Sequence, residues 1–242
     1  MCSRFTLKLG DAINLSKRLG IPLGQMADGR DRYNIAPATP VTALRRAPNA
    51  GGLDLTEATT LRWGLIPHWA REGSAPSAPL INARAETVAQ KPSFRTAWRD
   101  RQRCVLPCSG FYEWEKQGRE RLPWLFARAD RGPLAFAGLW DRWTDPIDGT
   151  VIESCTVLTT VPNRLLNRIH DRMPVLLDET SAATWLDAQL DDNAAATLLR
   201  PFDADRMSAT ALDPYVNSPA RDDPACLTPR GQSPGAQFDL GL

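Results

Sequence analysis

The sequence predicts one α+β domain with a mainly antiparallel, barrel-like β core flanked by short helices. Short runs rich in β-branched and aromatic residues recur at close spacing with turn signals between them. Helical patterning is confined to short windows, mostly near the two ends. No internal repeat and no break in composition divides the 242 residues, so a single domain is the simplest organisation.

The elements follow in order. Residues 11–19 read as an amphipathic helix with Ile13, Leu15 and Leu19 apolar. Residues 33–40 carry two prolines, which rules out a central strand or a helix interior and predicts an extended, ordered loop. Residues 41–45 and 61–65 read as strands joined by a Gly-rich turn. Residues 63–69 are proline-punctuated and irregular, and residues 71–79, rich in Ser, Ala and Pro, form a surface loop. A short helix is expected over 94–98, then a strand, a break and a second strand over 103–114. Further strands are expected over 124–127, 134–139 and 154–160. Residues 180–190 and 193–199 read as helices, the first capped by Asp178 or Thr180. The proline-rich, polar end sets a domain over residues 1–229 and a disordered tail over 230–242.

Composition limits the function classes. Hydrophobic residues make up 43% and charged residues 24%, an ordinary globular balance. No apolar run approaches the ~20 residues that span a bilayer. The N-terminus lacks a basic segment followed by an apolar one, so no signal peptide and no membrane partner are expected, and the expected location is the cytoplasm. A net charge of +1 does not by itself announce nucleic-acid binding, so such a site must come from local clustering of arginine. The cysteines are Cys2, Cys104, Cys108, Cys155 and Cys226. Their odd number argues against a disulfide framework. Only Cys104 and Cys108 are close in sequence, and with two histidines in the chain neither a metal site nor a cofactor is expected. Cys104, Cys108 and Cys155 read as buried, hydrophobe-like thiols.

Chemistry has four candidate carriers. Removal of Met1 makes Cys2 a 1,2-aminothiol, whose amine and thiol have ordinary pKa values of about 7.7–8.0 and about 8.5. Such a residue can take an aldehyde as a Schiff base and close the thiol onto that carbon, or attack an acyl carbon with the amine as base. Position alone does not separate these roles from an incidental cysteine. Glu113 lies between Tyr112 and Trp114, where desolvation suits a carboxyl to proton transfer; strand alternation would instead put it on a wet face. His170, within Arg168-Ile169-His170-Asp171-Arg172-Met173-Pro174, titrates near working pH or serves as a structural loop histidine. Asn82 and Arg84, two apart, would share one strand face and present an amide and a guanidinium to one ligand. Trp63, Trp69 and Arg4 are candidates for stacking and phosphate contacts to a single strand, against core packing, the commoner role of tryptophan.

Six ordered blocks together resemble one family, the SOS-response-associated peptidase (SRAP) proteins. They are Cys2-Ser3-Arg4-Phe5, Tyr33-Asn34-Ile35-Ala36-Pro37, Trp63-Gly64-Leu65-Ile66-Pro67, Ile81-Asn82-Ala83-Arg84-Ala85-Glu86-Thr87, Gly110-Phe111-Tyr112-Glu113-Trp114 and Ile169-His170-Asp171-Arg172-Met173-Pro174. The resemblance implies a covalent sensor of abasic sites in single-stranded DNA, which captures the opened sugar as a thiazolidine. It implies catalytic roles for Cys2, Glu113, His170 and Asn82. It implies DNA contacts at Arg4, Arg84, Thr159 and Arg172, with Asn34 in the pocket loop. The family name suggests self-processing peptidase activity, and a free Schiff base at Cys2 would give weak abasic-site lyase activity; a monomer that associates with the nucleoid when acting, with replication-fork proteins as neighbours, is also expected. Ser3 stands where the family usually has glycine; where that position needs positive φ, serine carries a conformational cost. Two alternatives remain open: an N-terminal-nucleophile amidohydrolase acting through Cys2, and a non-covalent single-strand binder.

Overall fold

The computed structural model describes residues 2–22, 24, 29–47, 56–71 and 79–232. The strands are β1 (Phe5–Leu7), β2 (Arg32–Ile35), β3 (Pro40–Arg46), β4 (Thr56–Trp63), β5 (Asn82–Arg84), β6 (Arg103–Cys108), β7 (Gly110–Gln117), β8 (Glu120–Arg128), β9 (Leu134–Thr144), β10 (Val151–Thr160), β11 (Met173–Pro174), β12 (Leu176–Leu177) and β13 (Met207–Ala211). The helices are α1 (Leu9–Arg18), α2 (Arg95–Arg99), α3 (Glu179–Leu186) and α4 (Asp192–Leu198).

The barrel is literal. Strands pair in the circuit β10-β4-β3-β6-β9 and back to β10, so the ring has no free edge. Only β10 departs from antiparallel pairing, running parallel to β4 and to β5. A second, five-stranded sheet has the order β13-β8-β7-β1-β2. The chain passes from barrel to sheet at Ser109, between β6 and β7; the Ser109 amide donates to the Thr6 carbonyl at 2.9 Å. All six residues of β6 are buried, as befits a strand covered on both faces.

Aromatic rings fill the space between the layers. Phe5 meets Trp63 and Phe136 edge-on, each at 5.3 Å between centroids, and Phe111 stacks on Phe126 at 5.4 Å. The barrel interior is tight at Gly138, where a Cβ would lie 2.9 Å from Cys104 Sγ and from the Thr156 carbonyl. Gly64 leaves β4 at φ +127°, a conformation that L side chains rarely adopt.

Several expectations need correction. Residues 33–40 are not one loop: β2 occupies the first part, and a turn with Ala38 at φ 63° follows before Pro40 opens β3. The prolines are accommodated because both lie beyond β2 and Pro40 takes the first position of β3. The helix starting near 180 is α3, which ends at Leu186; its cap is Asp178, whose carboxylate accepts from the Ser181 amide at 3.1 Å in a capping box. Strand β13 and three short 3-10 turns, Ala204–Arg206, Pro214–Asn217 and Pro224–Leu227, have no counterpart among the expected elements. Most of the expected 71–79 loop and of the Gly-rich turn, and residues 233–242 of the tail, lie outside the described residues. No described helix is long and apolar enough to cross a membrane.

Candidate active site

Strand β1 delivers the N-terminus to the site. It lies between β2 and β7, with Phe5 opposite Phe111, and the Arg4 carbonyl accepts from the Tyr112 amide at 3.0 Å. Continuing that register sets Ser3 across from Glu113, and both line one cleft of 660 Å³ with Trp114, Arg168, His170 and Asp171. Cys2 is buried just behind it. The Cys2 thiol points to the Arg4 carbonyl at 3.7 Å. The Cys2 carbonyl accepts from Asn82 Nδ2 at 2.7 Å. Asn82 stands at the start of β5, opposite Val157 of β10. Its other amide atom, Oδ1, is buried and has no hydrogen-bond partner among the described residues, so it is available to a hydroxyl or N–H donor.

Burial sets the ionisation of this group. It pushes Glu113 up to about 7, against 4.5 for a free glutamate. It also pushes the Cys2 thiol far up, with the neighbouring Glu113 carboxylate adding to the rise; the resting sulfur is therefore a thiol, not a thiolate. Burial lowers His170, so its ring is neutral near pH 7. The Arg172 amide donates to His170 Nδ1 at 3.0 Å. That bond needs a lone pair on Nδ1 and so places the neutral ring's proton on Nε2. Asp171 Oδ1 at 2.9 Å from the same nitrogen is mostly exposed and becomes a true partner only when the ring is protonated.

The residues expected to touch DNA divide into two sets. Arg84 and Trp69 are exposed, with Trp69 Nε1 3.3 Å from the Pro92 carbonyl. The others are buried, apart from half-buried Arg4. Trp63 is fully buried and donates to the Ile81 carbonyl at 3.0 Å, so it has no face for a base. Asn34 is also buried; its Nδ2 donates to the carbonyls of Val216, Ser218 and Arg221, and its Oδ1 accepts from Arg4 Nη1. Arg4 further reaches the Val216 carbonyl and lies over the Trp114 ring at 5.8 Å. Arg172 pairs bidentately with Glu86, at 2.6 and 2.8 Å, and donates to the carbonyl of buried Thr159. As placed, Trp63, Asn34, Thr159 and Arg172 hold the site together from within.

Ser3 is free of strain. Among the described residues the non-glycine positive φ angles fall at Ala38, Arg101 and Arg131, so the residue after Cys2 does not need glycine's freedom. The sequence reading did not single out Trp114, Lys116, Arg121 or Arg168, all of which line the cleft. The signal for Trp114, Lys116 and Arg168 is adjacency to Glu113 and His170, which does not tell inward from outward until the register is known; Arg121 is brought in by the β7–β8 hairpin, which sets it opposite Lys116.

The family model described as "SOS response associated peptidase (SRAP)" matches residues 1–219. The abasic site processing protein YoqW of Bacillus subtilis is 37% identical over 193 residues, covering 77% of this chain and 80% of its own. YoaM, an abasic site processing protein of the same organism, is 34% identical over 193 residues, covering 77% and 79%. A crystal structure of a protein from Bacteroides thetaiotaomicron superposes with a TM-score of 0.77 at 26% identity, over 93% of this chain and 98% of that one.

Proposed function

The chain belongs to the SOS response associated peptidase family, and from that premise we propose that it captures abasic sites in single-stranded DNA through Cys2. The observation that carries this reading is the convergence on one cleft of a buried carboxyl half-ionised near pH 7 and a neutral histidine, beside Ser3 and the Asn82-anchored Cys2 that precedes it.

Hydrolysis of the Met1–Cys2 peptide bond frees the Cys2 amine, and in this reading the chain's peptidase activity is confined to that self-processing step. The amine attacks C1′ of the opened sugar, Glu113 accepts its proton, and loss of one water leaves an imine. The thiol then adds to the imine carbon; sulfur bonds to carbon, the thiol proton passes to nitrogen, and a thiazolidine ring closes. His170, through Nε2–H, protonates the ring oxygen as the sugar opens. Asn82 Oδ1 accepts a hydrogen bond from the sugar hydroxyl. The protonated resting thiol supports an amine-first order and counts against an amidohydrolase, which needs the sulfur as its first nucleophile. Until the ring closes, the imine permits loss of a C2′ proton and elimination of the 3′ phosphate, a weak lyase activity.

Incubation with a single-stranded oligonucleotide carrying one abasic site should give a heat-stable, slower band in a denaturing gel, and none with Cys2→Ala. Absence of the band from wild-type protein shown by intact mass to lack Met1 overturns the proposal.

A further inference from the structure

We infer that Lys116, Arg121 and Arg168 form a phosphodiester-binding track on the outer wall of the cleft, carrying the DNA strand that flanks the captured sugar. The inference rests on the proposed action on single-stranded DNA and adds the path of the strand.

Three observations carry it. First, the β7–β8 hairpin sets Lys116 directly opposite Arg121. Like charges at cross-strand positions repel and destabilise a hairpin, and an anion between them removes that cost. Second, Arg168, on the turn before β11, lines the same cleft from the facing wall, alongside Glu113 and His170. All three cations are exposed, and among the described residues none has a side-chain hydrogen bond or ion pair. Third, the arginines nearest the reacting groups are already engaged: Arg172 with Glu86 and the Thr159 carbonyl, Arg4 with Asn34 and the Val216 carbonyl.

Two carboxylates share this wall, Glu115, which accepts from Trp124 Nε1 at 3.0 Å, and Asp171 beside His170, and they offset part of the charge of the three cations. Glu113 is buried. The arrangement suits a chain of singly charged phosphates, spaced along the wall and reached by flexible side chains, more than one compact multivalent anion. Lys116 also lies close enough to His170 to oppose its protonation, so the track begins at the catalytic ring.

The test uses the full chain and an undamaged single-stranded oligonucleotide, with affinity measured across a salt series. Three lost phosphate contacts on a single strand, at about 0.7 each, predict that K116A/R121A/R168A flattens the slope of log K against log salt by about 2. The charge-conserving K116R/R121K/R168K should keep the wild-type slope. In crosslinking, the DNA concentration for half-maximal yield should rise in parallel with Kd in the alanine variant. An unchanged slope in the alanine variant, or an equal loss in the charge-conserving one, overturns the track. Wild-type protein that shows the salt dependence but never crosslinks an abasic oligonucleotide overturns the abasic-site reading and leaves the track standing.

Discussion

Glu113 shows how one residue's environment sets its chemistry. On sequence it alternates with buried neighbours and invites a solvated reading. In the fold, β7 lies between β1 and β8, and Glu113 is nine-tenths or more removed from water. Its pKa rises because burial penalises the charged form. In the proposed mechanism the carboxylate is the form that accepts a proton from the Cys2 amine, so crosslinking should accelerate as pH rises through about 7, and Glu113→Gln should erase that inflection in a pH–rate profile. The same shift has a stability consequence with a definite sign. The folded pKa lies above the unfolded one, so the contribution is complete below pH 4.5 and lost as pH rises through about 7. Glu113→Gln should therefore be more stable than wild type at pH 8, by at most on the order of 3 kcal/mol, and lose that advantage near pH 4. Chemical denaturation at the two pH values measures it; a glutamine variant less stable at pH 8 contradicts the assigned burial.

Elements matter here through their ends and registers. Helix α3 packs on β6 and β9, and its first turn depends on Asp178, which also accepts from Arg206 at 3.2 Å. Asp178→Ala should cost about 1 kcal/mol of stability in urea unfolding, with little effect on crosslinking because α3 lines none of the catalytic cleft. Asp222 has a larger job. Its carboxylate accepts from the amides of Tyr33 and Asn34, at 2.6 and 2.9 Å, and pairs with Arg32. It thereby fastens β2 to the segment that holds Arg4 and Asn34. Asp222→Ala leaves two backbone donors without their acceptor, and each such group costs about 1–3 kcal/mol. A drop of about 2–4 kcal/mol in unfolding free energy, together with slower crosslinking, is expected; loss of stability without loss of rate would show that this fastening does not reach Cys2.

At the scale of the whole molecule, the chemistry depends on two sheets meeting. Glu113 belongs to the five-stranded sheet and Cys2 lies just ahead of its strand β1, whereas Asn82 is held by β10 of the barrel, and His170 comes from the turn between β10 and β11. The site is a seam, and the Phe5–Trp63–Phe136 cluster keeps it closed from beneath. The sequence by itself determined much: the α+β class, most strands, the four candidate residues of the proposed chemistry and the family all follow from local pattern and ordered motifs. These are short-range properties, written in alternation, caps and fixed spacings. The tertiary structure alone decided which side chains face water. Trp63 and Asn34 read as equal candidates to Trp69 for DNA contact, yet barrel closure buries Trp63 and the C-terminal segment covers Asn34. Arg172 reads as a phosphate ligand until Glu86, distant in sequence, is found paired with it. Burial and pairing between remote segments depend on register and closure, and a linear pattern carries neither.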